Sequence, residues 1–315
     1  MTTKTRITIR YIMIALSTSW KSREIDDGKE IISQIMDAGF GAIELDCFLS
    51  AKTVEGMIPM IGKSIQAVSI QNFCPITKIL PKSMAGMDAF LLSSPDKEQR
   101  ELAIKYSFET IEIADSAEAR NLICHFGYVD MDDPTQSLIE LNKKGMRESD
   151  DFESLILRAK DIRESKIQRH LDALFFSLEK LIRRAEDLGI YIGIENRHEF
   201  RQIPNYDEID IILNEFKGAN IAYWHNTEYA QLHEELDLAN HEDVLKKLSY
   251  NMRGIHFPIA PNNKSDGENK LTESINVKAI KQHINENTIK VIYSPPELSI
   301  EYLMEVSSYL ESELA

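Results

Sequence analysis

Short apolar runs rich in β-branched residues alternate along this chain with amphipathic stretches of helical period. In the stretch 26–38, Ile31 and Ile35 fall on one helical face, and Gly39 follows where a helix commonly ends. Eight strand–helix pairs can be counted in this way. Strands are predicted at 11–16, 42–45, 67–70, 122–125, 191–195, 221–224, 254–257 and 289–293, and helices at 26–38, 54–61, 95–114, 167–188, 209–216, 244–248, 277–284 and 300–310.

The alternation restricts the fold to two architectures. Strands separated by helices pair in parallel through right-handed crossovers, which leaves a doubly wound sheet or a closed barrel. No GxGxxG or GxxxxGK[ST] phosphate loop follows the first strand, and this weakens the nucleotide-binding doubly wound alternative. No repeat or Gly/Ser linker interrupts the pattern. The sequence therefore predicts a (β/α)8 barrel in which residues 1–315 form a single domain.

The stretch 130–166, after the fourth predicted strand, is highly charged and lies outside the eight pairs. Apolar residues recur in it at helical spacing, among them Leu138, Leu141, Phe152 and Leu155. We expect a helical insertion, separate from the helix at 167–188. A solvated helical pair is the simplest interpretation, although such an insertion could also cover the pocket or contact another subunit.

Composition and charge narrow the class of protein. The hydrophobic fraction of 43% and the charged fraction of 28% are those of a soluble globular protein. A formal charge of -15 repels phosphate backbones and anionic lipid, so we expect neither nucleic acid nor membrane as a partner. The three cysteines form no CxxC motif, and the apolar run at 11–16 is too short to span a bilayer. These features predict a cytoplasmic protein with reduced thiols.

Polar residues follow the predicted strands at the points where they end. Active sites of α/β barrels form at the carboxyl ends of the strands, so these residues are the candidates for chemistry. Carboxylates and imidazoles that converge at one rim are the groups that a divalent metal requires. In chain order the candidates are Glu44, Asp46, Gln71, Asn72, His125, Glu195, Asn196, Arg197, His225, Asn226 and His256.

Six short segments carry a resemblance to a known group of barrels. They are GFGAIEL (39–45), QNFCP (71–75), LICHFG (122–127), IGIENR (192–197), YWHNTEYA (223–230) and RGIHF (253–257). Together, and in this order, they resemble the xylose isomerase-like superfamily, which contains sugar and sugar-phosphate isomerases and epimerases. The resemblance covers nearly the whole chain and implies the barrel fold.

The resemblance also implies a divalent metal, such as Mn, Mg or Zn, held by Glu, Asp, His and Glu at the ends of strands five to eight. Glu195 and His256 match the first and third ligands. Asn226 stands in place of the Asp, and the final Glu falls on Tyr293 or Ser294. The ligand set is therefore incomplete, and two anionic ligands that offset the cost of dehydrating a cation are lost.

Three further positions of the superfamily pattern differ, and one of them is the acidic residue expected shortly after His256, which is replaced by Pro258 or Ile259. Tyr229 stands where strand six of the relatives is followed by a second His, and Gln71 replaces their usual strand-three His. These differences lie at the same rim as the lost ligands.

Two functions from different classes follow. The first is an isomerase or epimerase acting on a small polyhydroxylated sugar or sugar phosphate by proton transfer next to a carbonyl, with Glu195 as base and His256 as ligand or acid. The second is a catalytically inactive barrel that binds a metabolite or a partner protein through the same cavity. The resemblance also suggests a homo-oligomer, whereas a multi-zinc endonuclease would need ligands and a basic face that this acidic chain lacks. The expected ligand-contacting residues are His125, Gln71, Arg197, Asn226 and Glu44.

Structural roles remain as alternatives for each residue. Glu195 could form a salt bridge with Arg197 or Arg201, and His256 could be a hydrogen-bonded core histidine. If Asn226 points inward, strand alternation turns His225 away from the pocket.

Overall fold

A computed structural model describes residues 13–259 and 277–314. The strands are β1 Ile14–Ser17, β2 Ala42–Leu45, β3 Gln66–Gln71, β4 Asn121–Cys124, β5 Tyr191–Glu195, β6 Ile221–Asn226, β7 Met252–Pro258 and β8 Ile289–Tyr293. The helices are α1 Gly28–Asp37, α2 Ala51–Met57, α3 Lys97–Ser116, α4 Thr135–Lys143, α5 Asp150–Asp187, α6 Tyr206–Glu215, α7 Thr227–Glu235, α8 His241–Leu248, α9 Val277–Lys281 and α10 Ile300–Leu314.

The strands pair in parallel in sequence order, and β8 pairs with β1 to close the barrel. The predicted (β/α)8 fold is thereby confirmed. Each predicted strand overlaps an observed one, although residues 11 and 12 of the first lie outside the described residues. Because all eight strands run in the same direction, their carboxyl ends meet at one rim. In the register, Glu195 lies beside Trp224 and Asn226 lies beside His256.

The inside of the barrel is filled around one large side chain, Trp224, which is fully buried. Its neighbours on the adjacent strands are glycines because the indole needs their space. A Cβ on Gly254 would lie 2.3 Å from the Trp224 ring, and one on Gly193 would lie 3.3 Å from it. The Trp224 ring centroid is 5.5 Å from that of His256. Trp224 thus supports the rim residues from one layer of side chains below.

Two helices differ from the sequence prediction in more than the position of their ends. The predicted insertion at 130–166 contains α4, but its second part is continuous with the next helix, so that α5 has 38 residues. No Gly or Pro occurs between 150 and 187 to interrupt it. Helix α7 is not predicted by the pattern, since only Thr227 and Ala230 of its nine residues are buried and its apolar period is weak.

The start of α5 rests on a small apolar cluster of its own. Phe152 and Ile156 pack there with Leu138 of α4 and with Leu236, which follows α7. The insertion is therefore attached to the strand-end side of the barrel through α7.

Among the described residues, no helix is long and apolar enough to cross a membrane. The three cysteines, Cys47, Cys74 and Cys124, are all buried and unpaired.

Candidate active site

A cavity of about 410 Å³ opens at the carboxyl ends of the strands. This volume lies within the range of small-molecule sites. Strand ends contribute one part of its lining, α7 contributes Glu228 and Tyr229, and the loop between β3 and α3 contributes residues 83–89. The strand-end residues in the lining are Gln71, His125, Glu195, Asn226, His256 and Tyr293.

Glu195, the last residue of β5, is at the centre of the polar cluster and is only 3% exposed. Its Oε1 accepts hydrogen bonds from His256 Nδ1 at 2.6 Å and from Asn226 Nδ2 at 2.9 Å. Its Oε2 accepts one from His125 Nε2 at 2.9 Å. Donors from β6, β7 and the end of β4 therefore fix the carboxylate, and they offset the cost of burying its charge.

His256 bridges two buried carboxylates. Besides Glu195, it donates through Nε2 to Glu44 Oε2 at 2.9 Å. Glu44 also accepts from Ser69 Oγ at 2.7 Å and from Gln71 Nε2 at 2.9 Å. Burial alone would lower the pKa of His256, but the charges of Glu44 and Glu195 and their hydrogen bonds raise it to about 10. His256 is therefore an imidazolium at neutral pH.

The amide of Asn226 has a defined orientation. Asn226 is the N-cap of α7, where its Oδ1 accepts from Tyr229 N at 3.3 Å, so its Nδ2 faces Glu195. Asn196 fixes the backbone at the same point. Its Oδ1 accepts from Asn226 N at 2.6 Å, and its Nδ2 donates to Asn226 O at 3.0 Å.

Asp88 joins the cluster from the loop between β3 and α3. Arg197 Nη2 donates to its two carboxylate oxygens at 3.0 and 2.8 Å, and His125 Nδ1 lies 3.2 Å from its Oδ2. Both nitrogens of His125 thus lie within hydrogen-bond distance of a carboxylate oxygen. Sequence reasoning missed Asp88, because it lies in an irregular loop that carries neither periodicity nor a motif.

The simpler pairings considered for Glu195 do not form. Arg197 binds Asp88, and Arg201 binds Glu199 through Nε at 3.0 Å. His225 points away from Glu195: it contacts Tyr223 Oη through Nδ1 at 2.7 Å and His241 through Nε2 at 3.0 Å. Burial lowers the pKa of His225, so this ring is neutral.

Asp46, the other acidic rim candidate, is held apart from the Glu195 cluster. Its Oδ2 accepts from Ser22 Oγ at 2.8 Å, and its Oδ1 accepts from the backbone N–H of Phe48 at 3.1 Å. Burial raises the pKa of Asp46 to about 6, although these hydrogen bonds lower it.

The side chains at the expected ligand positions do not fit a divalent metal. Both nitrogens of His256 are engaged by carboxylates, so no lone pair of the ring is left to bind a cation. Asn226 turns its NH2 group toward Glu195, and an amide nitrogen does not bind metals. Burial raises the pKa of Tyr293, so its hydroxyl is neutral. In residues 13–259 and 277–314 no group of three or more His, Cys, Asp or Glu side chains could hold a metal ion.

Comparison with known proteins gives matches only among solved structures. Neither a protein-family model nor a curated protein sequence matches the chain. An L-ribulose 3-epimerase is similar at 13% identity and a TM-score of 0.66, with 97% of this chain and 95% of that chain covered. A 3-keto-D-glucoside 4-epimerase from E. coli is similar at 13% identity and a TM-score of 0.63, with 96% and 99% covered. The IOLI protein with a zinc atom is similar at 10% identity and a TM-score of 0.57, with 96% and 97% covered.

These matches define the fold. The chain is a closed parallel barrel of the xylose isomerase-like type, and the solved structures that share this fold include sugar epimerases. At identities of 9–17% the likeness concerns architecture, and the chemistry has to be argued from the side chains of this chain.

Proposed function

We propose that this chain binds a small polyhydroxylated molecule at the barrel mouth and transfers a proton next to its carbonyl, with Glu195 as the base. The observation that carries this proposal is the placement of Glu195. It lines the cavity and is fixed by donors from three different strand ends. The sugar epimerases among the solved structures of the same fold support this class of ligand.

The charges of the lining favour an unphosphorylated ligand. Asp88, Glu195 and Glu228 line the cavity, and among the described lining residues there is no Lys or Arg. A phosphate would meet carboxylates without a free cation to bind it. Of the sugar and sugar-phosphate classes, we therefore favour the free sugar or polyol.

The proposed reaction moves one proton. Glu195 takes the proton from the carbon next to the carbonyl, the C–H electron pair moves toward the carbonyl oxygen, and an enediolate forms. Return of the proton to the same carbon completes hydrogen exchange or epimerisation, and its return to the former carbonyl carbon gives the isomer after the hydroxyl proton has passed to the other oxygen of the enediolate. His256 and His125 hold Glu195 in position and stabilise its ionised form before the reaction. Glu44 holds His256 in turn, and Gln71 holds Glu44.

The reaction is proposed to proceed without Mn, Mg or Zn, because the side chains at the expected ligand positions do not fit such an ion. The imidazolium of His256 lies between Glu44 and Glu195 and supplies the positive charge that balances these two buried carboxylates. No step of the proposed reaction uses a metal.

Hydrogen exchange tests the proposal. The protein is incubated in D2O with EDTA and with D-tagatose, D-psicose, L-ribulose or D-fructose. We expect it to introduce deuterium next to the carbonyl of one of these sugars, and proton NMR measures the loss of the corresponding signal. Glu195→Gln should lower the exchange rate by about 100-fold or more, since it removes the base. Glu55→Gln, on the exposed face of α2, is the matched control. Exchange that needs added Mn2+, or that survives in Glu195→Gln, would contradict the proposal.

A second candidate function is a binding barrel without catalysis. One observation favours it: both oxygens of Glu195 already accept hydrogen bonds, three in all, which makes the carboxylate a weaker base. A binding barrel would be stabilised by one of the same sugars in a thermal-shift titration and would introduce no deuterium.

A further inference from the structure

The polar groups around Glu195 are nearly all occupied by one another. His256 and His125 use both ring nitrogens, and Asn226 uses its amide NH2 on Glu195. Gln71 donates its amide to Glu44. The two imidazoles have no N–H left to bind the oxygen of a ligand, and each of the two amide groups has already committed one of its two N–H donors.

Two phenols in the same lining make no hydrogen bond with the part of the chain that the structure describes. Tyr229, in the first turn of α7, and Tyr293, the last residue of β8, both line the cavity and are both partly exposed. Neither hydroxyl has a hydrogen-bond partner within residues 13–259 and 277–314. The lining also contains the Ser83 hydroxyl, on an exposed residue of the loop, and the Cys47 thiol, which is a weak donor.

Both phenols belong to the same cavity lining as the base, Glu195. The Tyr293 ring centroid is 6.3 Å from that of His256. Burial is the largest cause of the raised pKa of both phenols, so both keep their protons at neutral pH and can donate them in hydrogen bonds.

We propose that Tyr229 and Tyr293 are catalytic residues that donate hydrogen bonds to the enediolate oxygen formed when Glu195 removes the proton. This inference rests on the proposed proton transfer. By the resemblance, Tyr229 stands where the superfamily pattern has a histidine, and the final carboxylate ligand falls on Tyr293 or on its neighbour Ser294. A neutral donor that faces developing negative charge in a site screened from water stabilises the transition state more than the ground state.

The proposed step needs no oxidant, reductant or other co-reactant. The C–H bond breaks, its proton goes to Glu195, its electron pair forms the carbon–carbon double bond, and the carbonyl π electrons move onto oxygen. The phenols keep their protons throughout. The enediolate oxygen is therefore stabilised by two hydrogen bonds in place of a Lewis acid.

The experiment compares Tyr229→Phe and Tyr293→Phe with Tyr250→Phe, which removes a hydroxyl from a residue that is 67% exposed and outside the lining. Phenylalanine keeps the ring, so folding is expected to be retained and is checked by melting temperature. Each site variant should lower kcat for deuterium exchange by about 100-fold, with KM nearly unchanged, as expected when one oxyanion donor is removed. The control should behave as the wild type.

A second measurement separates this inference from the proposed function. L-threonohydroxamate, a planar mimic of an enediolate, is titrated by calorimetry with EDTA present. Each site variant should bind it about 10-fold more weakly, because one oxygen of the hydroxamate loses a hydrogen-bond donor. Exchange by both variants at the wild-type rate would overturn the role of the tyrosines and leave the proposed proton transfer intact. Wild-type protein that binds neither the hydroxamate nor a ketose would overturn both.

Discussion

Replacing Glu44 with Gln tests whether His256 is held as a cation between two carboxylates. The substitution keeps the shape of the side chain, and it removes one of the two charges that raise the pKa of His256 to about 10. The shift from the ordinary value of 6.5 corresponds to about 5 kcal/mol, at roughly 1.36 kcal/mol per pKa unit. Loss of one of two buried partners should cost about 3 kcal/mol of unfolding free energy at neutral pH.

The dependence of this cost on pH has a defined sign. The pKa of His256 is higher in the folded than in the unfolded protein, so its stabilisation is complete below pH 6.5 and is lost as pH rises through about 10. Glu44→Gln lowers the folded pKa. The stability difference between the two proteins should therefore be largest near neutral pH and should shrink as pH approaches 10.

Urea unfolding of both proteins at several values from about pH 6 to about pH 10 measures this difference. Glu55→Gln removes an exposed carboxylate of α2 and serves as the control for a change in net charge. A difference that stays constant over the whole range would refute a charged His256. Equal stability of Glu44→Gln and wild type at neutral pH would refute the bridging role of Glu44.

Three further substitutions have expected outcomes by urea or thermal unfolding. Asp46→Asn should be about 3 kcal/mol more stable than wild type above pH 6 and nearly equal to it near pH 4. The reason is that burial raises the pKa of the Asp46 carboxyl from 3.8 to about 6 in the folded protein, so the wild type loses stability as pH rises through that value and the carboxyl ionises. Gly254→Ala should lose at least about 1–3 kcal/mol and change the fluorescence of Trp224, since the new Cβ would lie 2.3 Å from the indole. Arg163→Met should lose about 3–5 kcal/mol by leaving Glu208 buried and unpaired, and adding Glu208→Gln should restore part of that loss.

The barrel could be predicted from the sequence because parallel strands buried on both faces produce short apolar runs that are easy to count. The helices were harder to delimit. The apolar period places Phe152 and Leu174 on helical faces equally well, but it does not show whether the chain continues between them, and α5 does continue. Helix α7 is defined by its Asn226 cap rather than by an apolar face.

The site was predictable where it depends on strand ends and unpredictable where it depends on a loop. The end of a parallel strand fixes the rim position of Glu195 and His256 whatever their partners are. The partners themselves are set by side-chain geometry. Asp88 reaches Arg197 from a loop whose path no local pattern encodes, and Glu44 meets His256 across the barrel mouth. Sequence spacing gives no distance between such residues.

Charge balance explains how the buried carboxylates at this rim are stabilised although the ligand set of the superfamily pattern is incomplete. In a metal site of the kind that the superfamily pattern implies, several carboxylates surround a dication and balance its charge. Here each carboxylate of the cluster has an imidazole or guanidinium within hydrogen-bond distance, and a dication added to this arrangement would meet the positive charge of His256 and Arg197 already in place. The His125 ring lies between the carboxylates of Glu195 and Asp88, and it thereby connects the strand-end cluster to the loop that carries Asp88. The paired groups are Glu44, Glu195 and Asp88 on one side and His256, His125 and Arg197 on the other. A neutral polyol leaves this balance unchanged when it binds, which is the physical reason that we place a free sugar, rather than a phosphate or a metal chelate, in the barrel mouth.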